Sequence, residues 1–132
     1  MTFNKLTPKV MVDDINKTIT FYRNVLGFEL INAEPDNGDV HWAMMKRDEI
    51  EIMFQTRNSI SKDYAEFQEM KTNAPIAFYI DLDNVNKLYS HLKDKTTTLS
   101  DLHITSYGAV EFSIRDCNGY ILTFAQSSTA DD

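Results

Sequence analysis

Apolar and polar positions change period along the chain, and they do so twice in the same order. Alternation typical of a strand covers residues 6–12, and apolar residues then recur at helical spacing at positions 15, 19, 22 and 26. Asp13 or Asp14 is suited to cap the start of this helix, and Gly27 follows its last apolar position. Strand-like stretches return at residues 28–34, 40–46 and 50–55, so the first half is predicted to be βαβββ.

The same order begins again at Pro75. Residues 75–81 alternate like a strand, Asp83 is the predicted helix cap, and the next helical stripe comprises Val85, Leu88, Tyr89 and Leu92. Further strands are predicted at residues 101–106, 109–115 and 120–126. Between the last two, Asn118-Gly119 predicts a type I′ turn, which needs a positive φ at both residues.

The two halves are therefore predicted to be copies of one unit. Val12-Asp13 and Ile80-Asp81 each end a strand before a helix, and they lie 68 positions apart. The predicted fold is α+β: two tandem βαβββ modules form one curved mixed sheet with the helices on its convex side. A single domain would contain module 1 (about residues 5–56), a linker (57–74) and module 2 (about 75–126), with a short linker helix within 62–70.

Composition narrows the classes of function. A chain of 132 residues with 42% hydrophobic residues is large enough for one core, and its net charge of −7 argues against nucleic acid as a partner. The negative charge is compatible with a cationic ligand, but an ordinary acidic surface explains it equally well. Cys117 is the single cysteine, so no internal disulfide forms. Neither a signal region nor an apolar run of membrane-spanning length occurs, so we expect a cytoplasmic protein without a membrane partner.

Four stretches together resemble the vicinal oxygen chelate superfamily, which includes glyoxalase I, bleomycin-resistance proteins and extradiol dioxygenases. They read PKVMVDD (8–14), TFYRNVLGF (20–28), AFYIDLDNV (77–85) and YGAVEFSIRDCNGYILTFAQ (107–126). The likeness covers nearly the whole chain in the expected order, and it departs at Cys117, where the family's turn usually has proline. The resemblance implies the two-module fold predicted above and a homodimer.

Enzymes of that superfamily hold one divalent metal ion with side chains from the first and last strand of each module. The resemblance places these positions at Thr7, at Met53 or Gln55, at Pro75 and at Thr123. Proline offers no donor atom, and hydroxyl and thioether groups are poor ligands for the metals involved. None of His41, His91 and His103 falls on an aligned position. We therefore predict a protein without a metal ion or other cofactor, closest to the metal-free bleomycin-resistance branch.

The leading hypothesis is a protein that binds a small molecule in the concave sheet cavity, as a resistance or sequestration factor. Its candidate cavity residues are Lys9, Met11, Trp42, Glu51, Met53, Gln55, Tyr79, His103, Tyr107 and Thr123. Lys9 and Glu51 are predicted to form an ion pair that shapes the cavity. One alternative is a metal-dependent lyase or isomerase of the glyoxalase type with Glu51, Gln55 and His103 as ligands. Another is a metal-free enzyme in which Glu51 or Lys9 transfers a proton.

Overall fold

The computed structural model describes residues 1–73 and 75–127, so residue 74, at the end of the predicted linker, lies outside the described part. The chain divides into two compact units, Met1–Thr72 and Asn73–Asp132. Each unit contains one βαβββ module, which confirms the predicted α+β class and the internal duplication. Hydrogen bonding places the eight strands of the described residues in two four-stranded mixed sheets, one in each unit.

The first unit contains five elements of its module: β1 (Lys9–Val12), α1 (Ile15–Asn24), β2 (Glu29–Glu34), β3 (Trp42–Arg47) and β4 (Ile50–Thr56). Its strand order is β1-β4-β3-β2, in which β1 and β4 are parallel and the remaining pairs are antiparallel. The crossover through α1 therefore brings the first strand beside the last, and the predicted elements are confirmed to within a few residues.

Helix α1 covers one face of this sheet, and its apolar stripe makes the core of the unit. Asp14 caps the helix by accepting a hydrogen bond from the Lys17 amide at 3.0 Å. Tyr22 is fully buried, and its ring contacts the rings of Phe28 and Phe54 at centroid distances of 5.4 and 4.7 Å. Burying one large apolar side chain contributes about 1.5–3 kcal/mol, so this aromatic cluster is a main source of stability.

The linker contains a short helix in the predicted range and a further helix before it. Helix α2 spans Arg57–Asp63, and a short 3₁₀ helix follows at Ala65–Glu69. The short helix predicted within residues 62–70 is therefore present, as the 3₁₀ helix at Ala65–Glu69, and α2 is an additional helix that the sequence did not predict. Thr56 caps α2 directly at the end of β4, and the extended backbone of Tyr64 (φ −136°, ψ 99°) then separates the two helices.

The second unit contains β5 (Ala77–Asp81), α3 (Val85–Leu92), β6 (Thr97–Ile104), β7 (Ala109–Arg115) and β8 (Ile121–Ser127). Its strand order, β5-β8-β7-β6, repeats that of the first unit. Asn84, rather than the predicted Asp83, caps α3, because its side-chain oxygen accepts a hydrogen bond from the Lys87 amide at 3.2 Å. Strand β6 also begins four residues before the predicted start at residue 101.

The turn between β7 and β8 differs from the predicted type I′ turn. Of its two predicted left-handed residues only Gly119 has a positive φ, +89°. The Asp116 carboxylate accepts hydrogen bonds from the amides of Asn118 and Tyr120 at 2.8 and 2.9 Å, and the Gly119 amide bonds to the Asp116 carbonyl at 3.1 Å. This pattern is typical of a longer hairpin loop in which glycine takes the left-handed position. An aspartate two positions before Asn118-Gly119 thus changes the turn.

Candidate functional site

Each sheet has one face against its helix and an opposite face, which we call the open face. In the first unit, paired residues on neighbouring strands place two rows of side chains on the open face. One row joins Met11, Gln55 and Trp42, and the next joins Lys9, Met53 and Met44. The predicted cavity residues of this unit, apart from Glu51, therefore lie in two adjacent rows of one face.

Helix α2 covers one end of this open face. Met11 and Gln55 are only 3% and 5% exposed, although they face away from α1. The side-chain amide of Gln55 donates hydrogen bonds to Ser59 Oγ at 2.8 Å and to Asp63 Oδ2 at 3.1 Å. Ser59 and Asp63 are four residues apart and share one side of α2. The protein's own chain thus occupies part of the predicted cavity in the first unit.

The predicted ion pair between Lys9 and Glu51 is wrong. Lys9 lies 3.7 Å from Asp63 and 5.2 Å from the centre of the Tyr64 ring, so its charge is used to hold the linker. Glu51 pairs instead with Lys5 at 2.5 Å and with Lys46 at 3.8 Å. The hydrogen bond from Lys5 holds the pKa of the Glu51 carboxyl below its ordinary value. A carboxylate in this state is a weak proton acceptor at neutral pH.

The strand register settles which residue of β4 matches Thr123. Tyr79 of β5 pairs with Thr123 of β8, and Met11, 68 positions before Tyr79, pairs with Gln55. Gln55 rather than Met53 is therefore the counterpart of Thr123. The Thr123 hydroxyl lies 2.8 Å from the Ser113 hydroxyl. The Gln55 amide nitrogen is held by α2, while its buried amide oxygen has no hydrogen-bond partner among the described residues, so Gln55 offers one oxygen donor at most. Together with Thr7 and with Pro75, which has no side-chain donor atom, this set does not fit a divalent metal ion.

The alternative ligand set of Glu51, Gln55 and His103 also fails on geometry. Glu51 and Gln55 lie four residues apart on β4, which separates them by roughly 13 Å along the strand, too far to bind one ion. The His103 ring bonds through Nδ1 to the carbonyl oxygen of Asp101 at 2.7 Å. Across residues 1–73 and 75–127, no group of three or more His, Cys, Asp or Glu side chains is arranged to hold a metal ion.

The open face of the second unit carries a polar group that we call the Glu111 cluster: Glu111, Tyr79, Tyr107 and His103. Tyr79 donates a hydrogen bond from its hydroxyl to Glu111 Oε2 at 2.6 Å, and Tyr107 donates to the same oxygen. His103 lies directly opposite Glu111 in the pairing of β6 and β7. Glu111 is 7% exposed, whereas Tyr79 and Tyr107 are 56% and 69% exposed. A buried carboxylate is thus bordered by two accessible aromatic rings.

Local structure explains how the cluster forms. Tyr107 lies in the turn between β6 and β7, where the Gly108 amide bonds to the Thr105 carbonyl at 3.1 Å, and this turn directs the ring back toward Glu111. Tyr79 reaches Glu111 across the strand between them. The residue of that strand in line with Glu111 is Ala125, whose methyl group leaves room above the sheet.

The hydrogen bonds set the charge state of the cluster. Burial alone would raise the pKa of Glu111, but the hydroxyls of Tyr107 and Tyr79 and the nearby His103 favour the ionised carboxylate. The net result is a pKa below the ordinary value of Glu111. The hydrogen bond to Glu111 also raises the pKa of Tyr79, with burial adding to the effect, so Tyr79 keeps its proton at neutral pH. The cluster therefore holds an ionised carboxylate through two hydroxyl donors.

Sequence reasoning placed Tyr79, Tyr107, His103 and Thr123 at the site and missed Glu111. The structure brings the first three of these residues around Glu111, and Thr123 lies in the adjoining row, bonded to Ser113. The missing signal was available in the alternation of residues 109–115. Because Val110, Phe112 and Ile114 form the apolar face of β7, the residues between them, including Glu111, must lie on the open face.

Comparison with known proteins gives two consistent results. The family model described as "Glyoxalase/Bleomycin resistance protein/Dioxygenase superfamily" matches residues 3–124 of the chain. No curated protein sequence matches. Solved structures, in contrast, match over nearly the full length at low sequence identity. At such identities structural likeness shows a shared fold.

Three of these structures illustrate the range of sequence identity and structural similarity. TioX from Micromonospora sp. ML1 is 14% identical, with a TM-score of 0.74 over 94% of this chain and 98% of that one. A glyoxalase/bleomycin resistance protein/dioxygenase from Nocardioides is 12% identical, with a TM-score of 0.78 over 98% and 88%. The bleomycin-binding protein from bleomycin-producing Streptomyces verticillus, in complex with copper(II)-bleomycin, is 17% identical, with a TM-score of 0.65 over 97% and 98%.

Proposed function

Because this chain belongs to the glyoxalase/bleomycin resistance protein/dioxygenase superfamily, we propose that it binds a small organic molecule without the help of a metal ion. The ligand binds at an open sheet face. The open face of the second unit is the better site, since α2 covers part of the open face of the first and buries Met11 and Gln55 there. On the second face the rings of Tyr79 and Tyr107 remain accessible.

The observation that carries this proposal is the chemistry of the positions aligned with the metal ligands of related enzymes. They hold a proline, two threonines and one glutamine, at Pro75, Thr7, Thr123 and Gln55. Divalent metals of the family need several imidazole or carboxylate donors, and Gln55 alone does not supply them. Its amide nitrogen also donates to Ser59 and Asp63 of α2.

Binding is proposed rather than turnover, because the two groups considered for proton transfer are already engaged. Lys9 interacts with Asp63 and Tyr64, while Glu51 accepts a hydrogen bond from Lys5. Binding without turnover suits a sequestration or resistance factor. The Streptomyces verticillus neighbour is described as a bleomycin-binding protein, which supports the idea that this fold can hold a small molecule, and the proposal takes nothing more from it.

A ligand screen in the presence of a chelator tests the proposal. The chain is purified, treated with EDTA, and its melting temperature is measured against a library of organic cations, planar aromatics and neutral compounds. We expect at least one compound to raise the melting temperature equally with and without EDTA, because a ligand of the folded state stabilises it by mass action. Stabilisation that requires added metal, or no stabilisation by any compound, would contradict the proposal.

The partner and location predictions accompany this proposal. We propose a homodimer on the strength of the resemblance, and the cytoplasmic location stays a prediction. In the described part of the chain, no helix has the length and apolar character needed to cross a membrane.

A further inference from the structure

We propose that the Glu111 cluster is a binding site for an organic cation with an alkylated ammonium group attached to a small apolar body. This inference rests on the proposed function and narrows it, from a small molecule in general to one chemical class and one sheet. Four features of the second unit support it: a buried carboxylate without an ion pair, a free carboxylate oxygen, two exposed rings, and the lack of a counterpart in the first unit.

The first feature is the charge of Glu111. The residue is 7% exposed and is held in its ionised state by two tyrosine hydroxyls, yet it makes no ion pair with any lysine, arginine or histidine of the described residues. Buried carboxylates are normally paired with a cation, because withdrawing an ion from water is costly. A cationic ligand would supply the missing partner.

The second feature is that one oxygen of the Glu111 carboxylate accepts no hydrogen bond from the described residues. Both tyrosine hydroxyls donate to Oε2, and within residues 1–73 and 75–127 no donor is bonded to Oε1. The neighbouring His103 donates from Nδ1 to the Asp101 carbonyl, since a carbonyl oxygen can only accept. The oxygen Oε1 of Glu111 is thus available to a ligand, and Glu111 lies opposite His103, whose imidazole is held by a backbone carbonyl.

The third feature is the pair of aromatic rings. Tyr79 and Tyr107 are anchored at their hydroxyl ends by the same oxygen of Glu111, so their rings stand beside the carboxylate while about half or more of each side chain remains exposed. Alkylated ammonium groups are attracted to the faces of tyrosine rings, and a ligand that keeps its apolar body on the ring gains in addition from apolar contact.

The fourth feature is that the first unit lacks this arrangement. Trp42 pairs with Gln55 as Ser113 pairs with Thr123, so the counterpart of Glu111, two positions before Ser113, is Val40. In addition α2 begins immediately after β4 and covers that end of the sheet, whereas β8 continues to Ser127. The duplication therefore explains the common scaffold of the two units, and the cluster is an addition that only the second unit carries.

The test compares a cation with its neutral shape analogue. Choline and 3,3-dimethyl-1-butanol differ by a quaternary nitrogen in place of a carbon, and each is titrated by calorimetry into the EDTA-treated full chain at constant ionic strength. Benzyltrimethylammonium serves as a second cation with a larger apolar body. We expect both cations to bind and the neutral alcohol to bind at least about tenfold more weakly, since it lacks the charged partner for Glu111.

Variants then locate the site. Glu111→Gln should weaken choline binding about tenfold or more, because the neutral amide cannot pair with the ammonium group. Glu66→Gln, which makes the same change of charge in the linker of the first unit, should leave it unchanged. Tyr79→Phe and Tyr79→Leu both remove the hydroxyl, and only the second removes the ring. We expect Tyr79→Phe, which loses the hydroxyl that anchors the ring, to bind more weakly than the unaltered chain, and Tyr79→Leu to bind more weakly still.

The outcomes separate this inference from the proposed function. Equal binding of choline and the neutral alcohol, unchanged binding in Glu111→Gln, or no binding of either cation would overturn the inference. If neutral compounds stabilise the chelator-treated protein while cations do not, the proposed function stands and the cation site is wrong. If Glu111→Gln does not fold, the two Tyr79 variants decide. Equal affinities of Tyr79→Phe and Tyr79→Leu for choline would show that the ring does not contribute to binding and would contradict the proposed site.

Discussion

Glu111 shows how a β-sheet can keep a carboxylate ionised in a largely buried position. Two hydroxyl donors, on Tyr79 and Tyr107, share one of its oxygens, and His103 lies across the strand pair. Their combined effect exceeds that of burial, and the pKa of Glu111 falls below its ordinary value. The same hydrogen bond raises the pKa of Tyr79, so donor and acceptor hold one another in the states that bond best.

A carboxyl group whose pKa is lower in the folded than in the unfolded protein stabilises the fold above its unfolded pKa. That contribution is lost as the pH falls through the folded value. We therefore expect the difference in free energy of unfolding between the unaltered chain and Glu111→Gln to be largest at neutral pH and to shrink as the pH falls below about 4.5, the ordinary value for glutamate. Urea unfolding at several pH values between 7 and 3 measures it. A difference that stays constant or grows in acid would contradict this account of Glu111.

Sequence reasoning could identify Tyr79, Tyr107 and His103 as exposed polar or aromatic residues of strands and turns, but not the interaction that joins them. Tyr79 and Glu111 are 32 positions apart, and their contact depends on the strand order β5-β8-β7 and on the small side chain of Ala125 between them. The alternation of β7 would have placed Glu111 on the open face. The hydrogen bonds could not be predicted, because they depend on pairing register and on the geometry of the turn at Thr105–Gly108.

Among the elements, the linker segment formed by α2 and the 3₁₀ helix departs most from expectation. Its sequence is polar and uneven, so periodicity gave little guidance. Its position depends instead on single polar contacts with β1 and β4, namely those of Lys9 and Gln55 with Asp63. Arg57 fastens the other end of the segment by donating hydrogen bonds to the carbonyls of Phe67, Gln68 and Met70.

Loss of the Arg57 guanidinium should loosen this segment. Arg57→Met keeps an unbranched apolar side chain but removes every donor, and a hydrogen bond from a charged group is worth about 1.5–3 kcal/mol. We expect faster amide hydrogen exchange over residues 64–70, with little change in β7 and β8 of the other unit. Lys62→Met, a substitution of an exposed cation on the same helix, is the control and should leave exchange unchanged. Equal exchange rates in both variants would show that Arg57 does not hold the segment.

At the scale of the whole molecule, the duplication made the fold predictable. Two consecutive βαβββ patterns, with strand ends 68 positions apart, specify two equivalent modules, and both form with the same strand order. Boundaries were less certain, as the earlier start of β6 shows, because strand ends depend on the length of the partner strand. The resemblance further predicted the superfamily, which the family model confirms.

The homodimer is a prediction about the assembly of the whole molecule. If the resemblance holds for assembly, light scattering during size-exclusion chromatography should give twice the mass of one chain at micromolar concentration, and dilution should not reduce it over the accessible range. A mass equal to that of one chain at every concentration would contradict this prediction. It would leave the Glu111 cluster unaffected, because every residue of the cluster lies in one unit of one chain.

The most direct test of the central claim is the metal content of the purified protein. The chain is produced in medium supplemented with zinc, nickel, manganese and iron, purified without chelator, and analysed by mass spectrometry of its elements. We expect less than about one tenth of an ion per chain, because Thr7, Gln55, Pro75 and Thr123 do not provide a set of donors for such ions. One tightly bound ion per chain, lost together with ligand binding after treatment with EDTA, would show the account to be wrong.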